Sequence, residues 1–181
     1  MDKRLGKVSS RFTAIPKRTG GSLMRVYRDT RFGKDKTPYK TNIGIQFRHE
    51  LGKDVHAPGF YVHVEADSLF LAAGIWRPEP KVLARIREAI ADNPKAWQKA
   101  RDHRKFAQQF ELGGDTLKRP PQGYSAEHPL IVDLKRKDFI AVQDLSVDVA
   151  LQADFADLVQ KQFMTTRPFM QFLCEAQPLA F

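Results

Sequence analysis

The chain has 181 residues, of which 42% are hydrophobic, and it carries a net charge of +9. Its length suits one domain spanning residues 1–181, and its single cysteine excludes an internal disulfide. The longest apolar run, residues 69–76, is far too short to span a bilayer, and the first twelve residues lack the apolar segment of a secretory signal. We therefore expect a cytoplasmic protein without a membrane partner.

The positive charge is concentrated in the first third of the chain. Residues 1–56 hold 14 Lys and Arg against 5 Asp and Glu, whereas residues 57–181 hold 16 basic and 16 acidic residues. Such an asymmetry suggests an anionic partner, which would be a phosphorylated ligand, a nucleic acid or an acidic protein. The alternative is a solvated basic rim that aids solubility.

The N-terminal part of the chain is predicted to be an irregular segment followed by a sheet. Residues 1–21 are basic and show no hydrophobic period, whereas β-branched and aromatic residues alternate with small or polar ones in the sheet region, residues 22–76. Four strands are predicted, at residues 23–29, 42–49, 60–65 and 69–76. Residues 66–68 form a short turn, so the last two strands should be a hairpin.

The alternation divides the side chains of this sheet between two faces. The predicted core face consists of Met24, Val26, Ile43, Ile45, Phe47, Phe60, Val62, Val64, Leu69, Leu71 and Ile75. The other face is predicted to consist of Arg25, Tyr27, Asp29, Gly44, Gln46, Arg48, Tyr61, His63, Glu65, Phe70, Ala72, Gly74 and Trp76. Its small residues leave volume above the sheet, and its polar residues could line a pocket.

Residues 80–181 are predicted to be mainly helical. Apolar residues at helical spacing indicate a helix over 80–91, Asn93-Pro94 opens a second helix, and a last helix begins at Asp154. Consecutive strands followed by helices predict an α+β fold. We expect a largely antiparallel sheet of four or more strands, with the helices packed on its apolar face.

Five segments of the chain carry a resemblance to a known family. They are YRDTRFGKDKTPYKT (27–41), GFYVHVE (59–65), GIWRPEP (74–80), LKRPPQGY (117–124) and HPLIVDLKRKDF (128–139). With them the chain resembles a widespread bacterial and fungal family catalogued as domain of unknown function twenty-four sixty-one, which carries no known reaction. Members of that family usually begin with further helical sequence, which is not evident here. Whether a helix covers the sheet at this end stays open.

The segment 25–42 is the predicted centre of the site, because six basic residues are opposed there by only Asp29 and Asp35. Backbone amides near Gly33, threonine hydroxyls and converging cations would suit a phosphate or carboxylate. The predicted anion ligands are Arg25, Arg28, Arg31 and Lys36, and Tyr27, Tyr39 and Trp76 are predicted to shape the site. The alternative is a structural network in which the two aspartates brace a long connection.

His63 and Glu65 lie on the same face of one predicted strand, because side chains two residues apart point the same way. Such a pair near neutral pH is a candidate general acid or base. None of the spacing signatures of a metal site is present, so no metal is predicted. The plainer alternative is a surface histidine satisfied by its neighbour.

Other motifs are less specific. The corner at residues 76–80 could clamp a planar ligand with Trp76 and Arg77, or bury its tryptophan in the core. The segments 117–124 and 133–139 interleave basic and aromatic residues, but no signature of a nucleic-acid-binding motif is present. Cys174 lies among apolar residues and is interpreted as a buried side chain and not as a nucleophile.

These observations favour the binding of a small anionic ligand in a polar pocket on the sheet, overhung by the loop at 30–41, with turnover left open. The second hypothesis is a non-catalytic module that binds nucleic acid or protein through the basic N-terminal third. The third is a purely structural network. The sequence does not identify the ligand, a cofactor, a reaction or the oligomeric state.

Overall fold

The structure, a computed structural model, describes residues 1–28, 31, 36–52 and 56–181. Within these residues the strands are β1 (Phe12–Thr13), β2 (Ile43–His49), β3 (Gly59–Val64), β4 (Leu69–Ile75), β5 (Glu111–Gly113) and β6 (Phe139–Leu145). They form one antiparallel sheet in the order β1-β2-β3-β4-β6-β5. With helices packed around this sheet, the predicted α+β fold is confirmed.

The strands β2, β3 and β4 lie where the alternation predicts them. In the register of the sheet, His63 on β3 pairs with Gly44 on β2 and with Phe70 on β4. The turn between β3 and β4 is closed by a backbone hydrogen bond of 2.7 Å from the Glu65 amide to the Ser68 carbonyl. The hairpin prediction is therefore confirmed. We call the side of the sheet that bears His63 the open face and the opposite side the core face.

The predicted first strand, residues 23–29, is not a strand of this sheet. Leu23 makes an isolated bridge to Ile45 at the edge of the sheet, and Tyr27 makes another to Tyr39. The chain therefore leaves the sheet and pairs with itself before it returns to β2. We call this excursion the arm and define it as residues 22–28 and 36–42.

Two residues predicted for the core face are displaced because the arm leaves the sheet. Val26 is 51% exposed on the arm. Met24 lies on the open face, where its sulfur would be 3.1 Å from a Cβ added to Gly44. Alternation of apolar and polar residues predicts that a segment pairs, but it does not say with which segment. Residues 29–30 and 32–35, which belong to the predicted anion-binding loop, lie outside the described residues.

A short helix, α1 (Asp2–Val8), lies where an irregular segment was predicted. Its apolar residues Leu5 and Val8 are buried, and Arg4 forms an exposed ion pair of 2.6 Å with Asp157. A helix of seven residues has only two turns, which is too short for a hydrophobic period to be visible. The prediction of an irregular segment was therefore wrong for these residues, and a helix does pack against the core at this end.

The region 80–181 contains two strands that were not predicted, β5 and β6. The strand β6 lies beside β4 in a register that pairs Ala72 with Val142 and Gly74 with Ile140. It is a short, partly alternating apolar run, which local sequence alone does not distinguish from a buried helical turn. Its addition makes the sheet six strands wide and supplies two aliphatic side chains to the open face.

The helices that follow α1 are α2 (Pro80–Asp92), α3 (Pro94–Arg101), α4 (Arg104–Ala107), α5 (Ile131–Leu134), α6 (Phe155–Thr165) and α7 (Arg167–Glu175), with a 3₁₀ helix at Val147–Leu151. Phe163 on α6 packs against Phe47 and Phe60, with ring centroids 6.4 and 4.7 Å apart. Trp97 on α3 packs edge-on against Phe139 at 5.8 Å. The helices therefore cover the core face, as predicted. None of the described helices is long and apolar enough to cross a membrane.

Candidate functional site

A pocket of about 450 Å³ lies on the open face, above the middle of the sheet. Small residues form its floor, namely Gly59, Ala72 and Gly74. Larger side chains stand around this floor, among them Met24, Gln46, Tyr61, Phe70, Trp76 and Val142. The pocket therefore exists because three neighbouring positions on β3 and β4 have little or no side chain.

The glycine at position 74 is a requirement of the backbone. Gly74 has a φ of +136°, and an added Cβ would lie only 2.0 Å from the carbonyl oxygen of Phe139 on β6. Any side chain at this position would therefore push β6 away from β4 or force another backbone conformation. Gly74 thus permits the close approach of β4 and β6 and also leaves this part of the pocket floor without a side chain.

The lining of the pocket is mainly apolar, which corrects the prediction of a polar pocket. The aliphatic side chains of Ile140 and Val142 come from β6, the strand that was not predicted, and Met24 comes from the arm. The lining residues that carry a polar side-chain group are Gln46, Tyr61 and Trp76. A few polar groups in an apolar lining are typical of sites for small molecules.

A hydrogen-bonded cluster of polar side chains adjoins the pocket at Tyr61. The hydroxyl of Tyr61 lies 3.0 Å from Nδ1 of His63, and Nε2 of His63 lies 3.6 Å from a carboxylate oxygen of Glu65. The arm contributes Asn42, whose amide nitrogen is 3.4 Å from Nδ1 of His63, and Thr41, whose hydroxyl donates to Glu65. We call these five residues the polar cluster. The predicted pair of His63 and Glu65 does share one face, while its role as an acid or base stays a prediction.

The polar cluster sets the electrostatics of its own members. The hydrogen bond from Thr41 holds the pKa of Glu65 below its usual value, and His63 lowers it further, while burial acts against both. Burial raises the pKa of Tyr61, against a smaller opposing effect of a hydrogen bond with Asn42. The cluster therefore combines an ionised carboxylate with a phenol that keeps its proton at neutral pH.

Phe70 fixes the position of the His63 ring. The two rings are stacked, with centroids 4.5 Å apart and an interplanar angle of 12°. Phe70 lines the pocket and also packs against the ring of Tyr61 at 5.8 Å. His63 thus contacts two aromatic side chains that line the pocket, Phe70 through stacking and Tyr61 through a hydrogen bond.

Trp76 is the one predicted ligand-binding residue that lines the pocket, and it is 46% exposed. His56 stacks on its ring at 6.1 Å, and the guanidinium of Arg77 lies 4.7 Å from the ring centroid. Trp76 is therefore not a core tryptophan, while its role in clamping a planar ligand stays a prediction. A cation beside an accessible indole is suited to planar or anionic molecules.

A buried carboxylate holds this corner of the chain. Asp138 is 3% exposed and accepts hydrogen bonds from the amides of Arg77 at 2.7 Å and Asp115 at 2.8 Å. Arg77 has a φ of +47°, which is uncommon for a residue with a side chain. The two hydrogen bonds to Asp138 offset the cost of this backbone conformation and keep Trp76 at the rim of the pocket.

The remaining predicted ligand-binding residues lie on the arm or, in the case of Arg31, between its two segments in the chain, and they do not line the pocket. Tyr27 and Tyr39 are each 58% exposed, and their rings pack together with centroids 5.5 Å apart. The predicted anion ligands are all exposed; they are Arg25, Arg28, Arg31 and Lys36. One of their contacts is a hydrogen bond of 2.9 Å from the Arg28 guanidinium to the Thr37 hydroxyl. Their role in binding an anion stays a prediction.

The other motifs singled out in the sequence have structural partners. In the segment 133–139, Asp133 is buried and pairs with Arg101, while Arg136 donates to the Gly113 carbonyl at 3.2 Å. These contacts join α3, α5 and β5, so we assign them to the fold. Cys174 is buried, and burial raises the pKa of its thiol to about 12. Within the described residues, no group of acidic, His and Cys side chains is arranged to hold a metal ion.

Sequence reasoning placed Gln46, Tyr61, Phe70, Ala72, Gly74 and Trp76 on the open face but missed other residues that line the pocket. Met24 was assigned to the core face, and Ile140 and Val142 lay in a region predicted to be helical. The alternation in β6 was the available signal for the last two residues. No signal in the sequence places Met24 on the open face, because its position depends on where the arm leaves the sheet.

The comparisons with known proteins give a family but no activity. A search of curated proteins finds no match to this chain. The family model described as conserved hypothetical protein (DUF2461) matches residues 1–172. This match covers all six strands and every helix except the end of α7. The chain therefore belongs to the DUF2461 family of conserved hypothetical proteins.

Proposed function

We propose that this protein binds a small molecule with a flat apolar body and an acidic group in the pocket on the open face. The observation that carries the proposal is the pocket of about 450 Å³ over a floor without large side chains. Pockets for small molecules usually measure about 300–1,000 Å³ and combine an apolar lining with a few polar groups. The pocket has both properties.

The aromatic side chains support a flat ligand body. Phe70 and Trp76 both line the pocket. Burial of apolar ligand surface contributes roughly 25 cal/mol per Å², and ring stacking adds to it. A planar ligand gains more from these walls than a polar, strongly hydrated one such as a sugar phosphate.

Basic residues beside the pocket support the acidic group. Arg77 follows the lining residue Trp76 in the chain and its guanidinium lies over the indole ring, and the exposed Arg25 follows the lining residue Met24. The basic first third of the chain adds a long-range field that attracts anions. We keep a cytoplasmic location as part of the proposal, because a single cysteine is typical of a reducing compartment.

A ligand screen with a pocket-filling variant tests this proposal. Pairs of flat aromatic carboxylic acids and their neutral amides would be added to the wild-type protein in a thermal-shift assay, with NMR to confirm binding. We expect the acids to raise the melting temperature more than the amides. The variant Ala72→Phe should abolish this stabilisation, because its ring occupies the floor of the pocket.

The matched control is Ala126→Phe, which makes the same substitution at an exposed position of a loop far from the pocket lining. It should respond to the ligands as the wild type does. If no compound of the panel stabilises the wild type, or if Ala72→Phe responds as strongly as the control, the pocket is not a ligand site. A larger effect of the amides would reject the acidic group alone.

A second candidate function is the binding of single-stranded nucleic acid by the arm. The specific observation is the exposed Tyr27–Tyr39 pair, which lies among basic residues. Bases stack on exposed aromatic rings while Lys and Arg contact phosphates, and each stacked base contributes about 1–3 kcal/mol. A protein partner of the arm would instead need to be acidic.

Oligonucleotide binding measured at several salt concentrations tests the second candidate. The logarithm of the affinity should fall linearly with the logarithm of the salt concentration, with a slope of about 0.7 per phosphate contacted. Tyr27→Ala should weaken binding by about tenfold or more, whereas Tyr27→Phe, which keeps the ring, should have little effect. Absence of binding at low salt rejects this function.

A further inference from the structure

We propose that Tyr61 is the group through which the pocket exchanges a proton with its ligand, and that His63 and Glu65 act behind it as positioning residues. The substrate class is a flat molecule with a weakly acidic O–H group, namely a phenol or an enol. This inference rests on the proposed function, because it requires a ligand in the pocket on the open face.

The position of the Tyr61 hydroxyl is the first element of the argument. Tyr61 lines the pocket, and its hydroxyl lies over Gly44, where an added Cβ would be only 2.7 Å from the oxygen. The same hydroxyl lies 3.0 Å from Nδ1 of His63. Tyr61 therefore belongs both to the pocket lining and to the hydrogen-bond partners of the histidine, and its hydroxyl occupies a space that only glycine at position 44 leaves open.

The proposed proton transfer requires a lone pair on Nδ1 of His63. Two groups that can donate a hydrogen bond approach this nitrogen, the Tyr61 hydroxyl at 3.0 Å and the Asn42 amide nitrogen at 3.4 Å. With both groups donating, the proton of the neutral ring is on Nε2. Nε2 faces the carboxylate of Glu65 at 3.6 Å. The ring is therefore oriented to receive a proton at Nδ1 with a carboxylate behind it.

The proton transfer balances without another reactant. The ligand O–H gives its proton to the oxygen of Tyr61 while Tyr61 passes its own proton to Nδ1 of His63. The products are the ligand anion, neutral Tyr61 and an imidazolium that faces the ionised Glu65. The low pKa of Glu65 keeps this carboxylate charged, so that it stabilises the imidazolium.

Among the described residues, the other groups that contact the ring of His63 are neutral. The neighbouring strands place Gly44 and Phe70 opposite His63, and neither side chain ionises. The arm contributes the neutral groups of Thr41 and Asn42. Within the described residues, Glu65 and Tyr61 are therefore the ionisable groups in contact with the ring of His63.

The probe for this inference is 4-nitrophenol, a flat phenol whose ionised form has its own visible absorption band. Binding to the wild-type protein is measured by NMR, and ionisation of the bound probe is measured from the band as the pH is raised. We expect the bound probe to ionise at a pH about one unit below that of the free probe, which is a tenfold change. Tyr61→Phe should bind the probe with little change in affinity but without this shift.

Two further variants keep the test decisive. Glu65→Gln, which retains a partner for Thr41, should reduce the shift by weakening the support of the imidazolium. Ala72→Phe should abolish binding itself. If the wild type does not bind the probe, the inference and the proposed ligand class both fail. If wild type and Tyr61→Phe bind the probe and ionise it equally, the inference alone is overturned and the proposed function stands.

Discussion

Replacement of Asp138 by alanine should destabilise the protein by about 3 kcal/mol. The carboxylate accepts two backbone hydrogen bonds, from Arg77 at 2.7 Å and Asp115 at 2.8 Å, and is almost fully buried. Hydrogen bonds to a charged group contribute about 1.5–3 kcal/mol each, so their loss costs roughly 3–6 kcal/mol. The alanine variant no longer has to desolvate a charge on folding, and this recovers part of the cost. The net loss of stability is therefore near the lower end of that range.

Urea denaturation followed by tryptophan fluorescence measures this loss. With a denaturant dependence of about 2 kcal/mol per molar, the midpoint should fall by about 1.5 M. The matched control is Asp144→Ala, an exposed position on β6, the strand that follows Asp138, which should change stability by no more than about 0.5 kcal/mol. If the two variants are equally stable, Asp138 does not brace the corner at Trp76, and our explanation for the position of that residue is wrong.

Three other predictions concern single positions. Gly74→Ala should destabilise the protein by more than about 2 kcal/mol, because its Cβ has no space beside β6, and a melting curve will measure the loss. Cys174 should not react with a thiol reagent in the native protein at pH 8 but should react once urea unfolds it, because burial keeps the thiol protonated. Since the folded-state pKa of Glu65 is lowered, its contribution to stability is present at neutral pH and is lost as the pH falls through that pKa. Thr41→Val should therefore be less stable than the wild type at pH 7, and this difference should shrink below about pH 4. An unchanged difference at low pH would contradict the assigned cause.

Much of the fold could be predicted because strands with one buried face have a period of two. The residues of β2, β3 and β4 follow this period closely, and the short turn before Ser68 joins two of them. The helices opened by Pro80 and Pro94 were equally clear, because proline is favoured at the first helical position. These signals are local, and they are read correctly without knowledge of the rest of the chain.

The apolar character of the pocket could not be predicted, because it depends on contacts between distant segments. Its walls come from the arm, from β4 and from β6, and the position of Met24 depends on where the arm separates from β2. The small residues at 44, 72 and 74 did predict open space above the sheet. The polar character expected for that space was wrong, because Ile140 and Val142 arrive from a strand far along the chain.

The order of the strands has a consequence for the behaviour of the protein at high concentration. The two outermost strands are the shortest ones, with two residues in β1 and three in β5, and they flank four strands of six or seven residues. An exposed edge is the place where one sheet can recruit another chain and grow into an aggregate. Here each edge strand offers an incoming chain a ladder of only two or three residues, so edge-to-edge growth of the sheet gains few hydrogen bonds. A protein that keeps one face of its sheet accessible is thereby protected at the sides of that sheet.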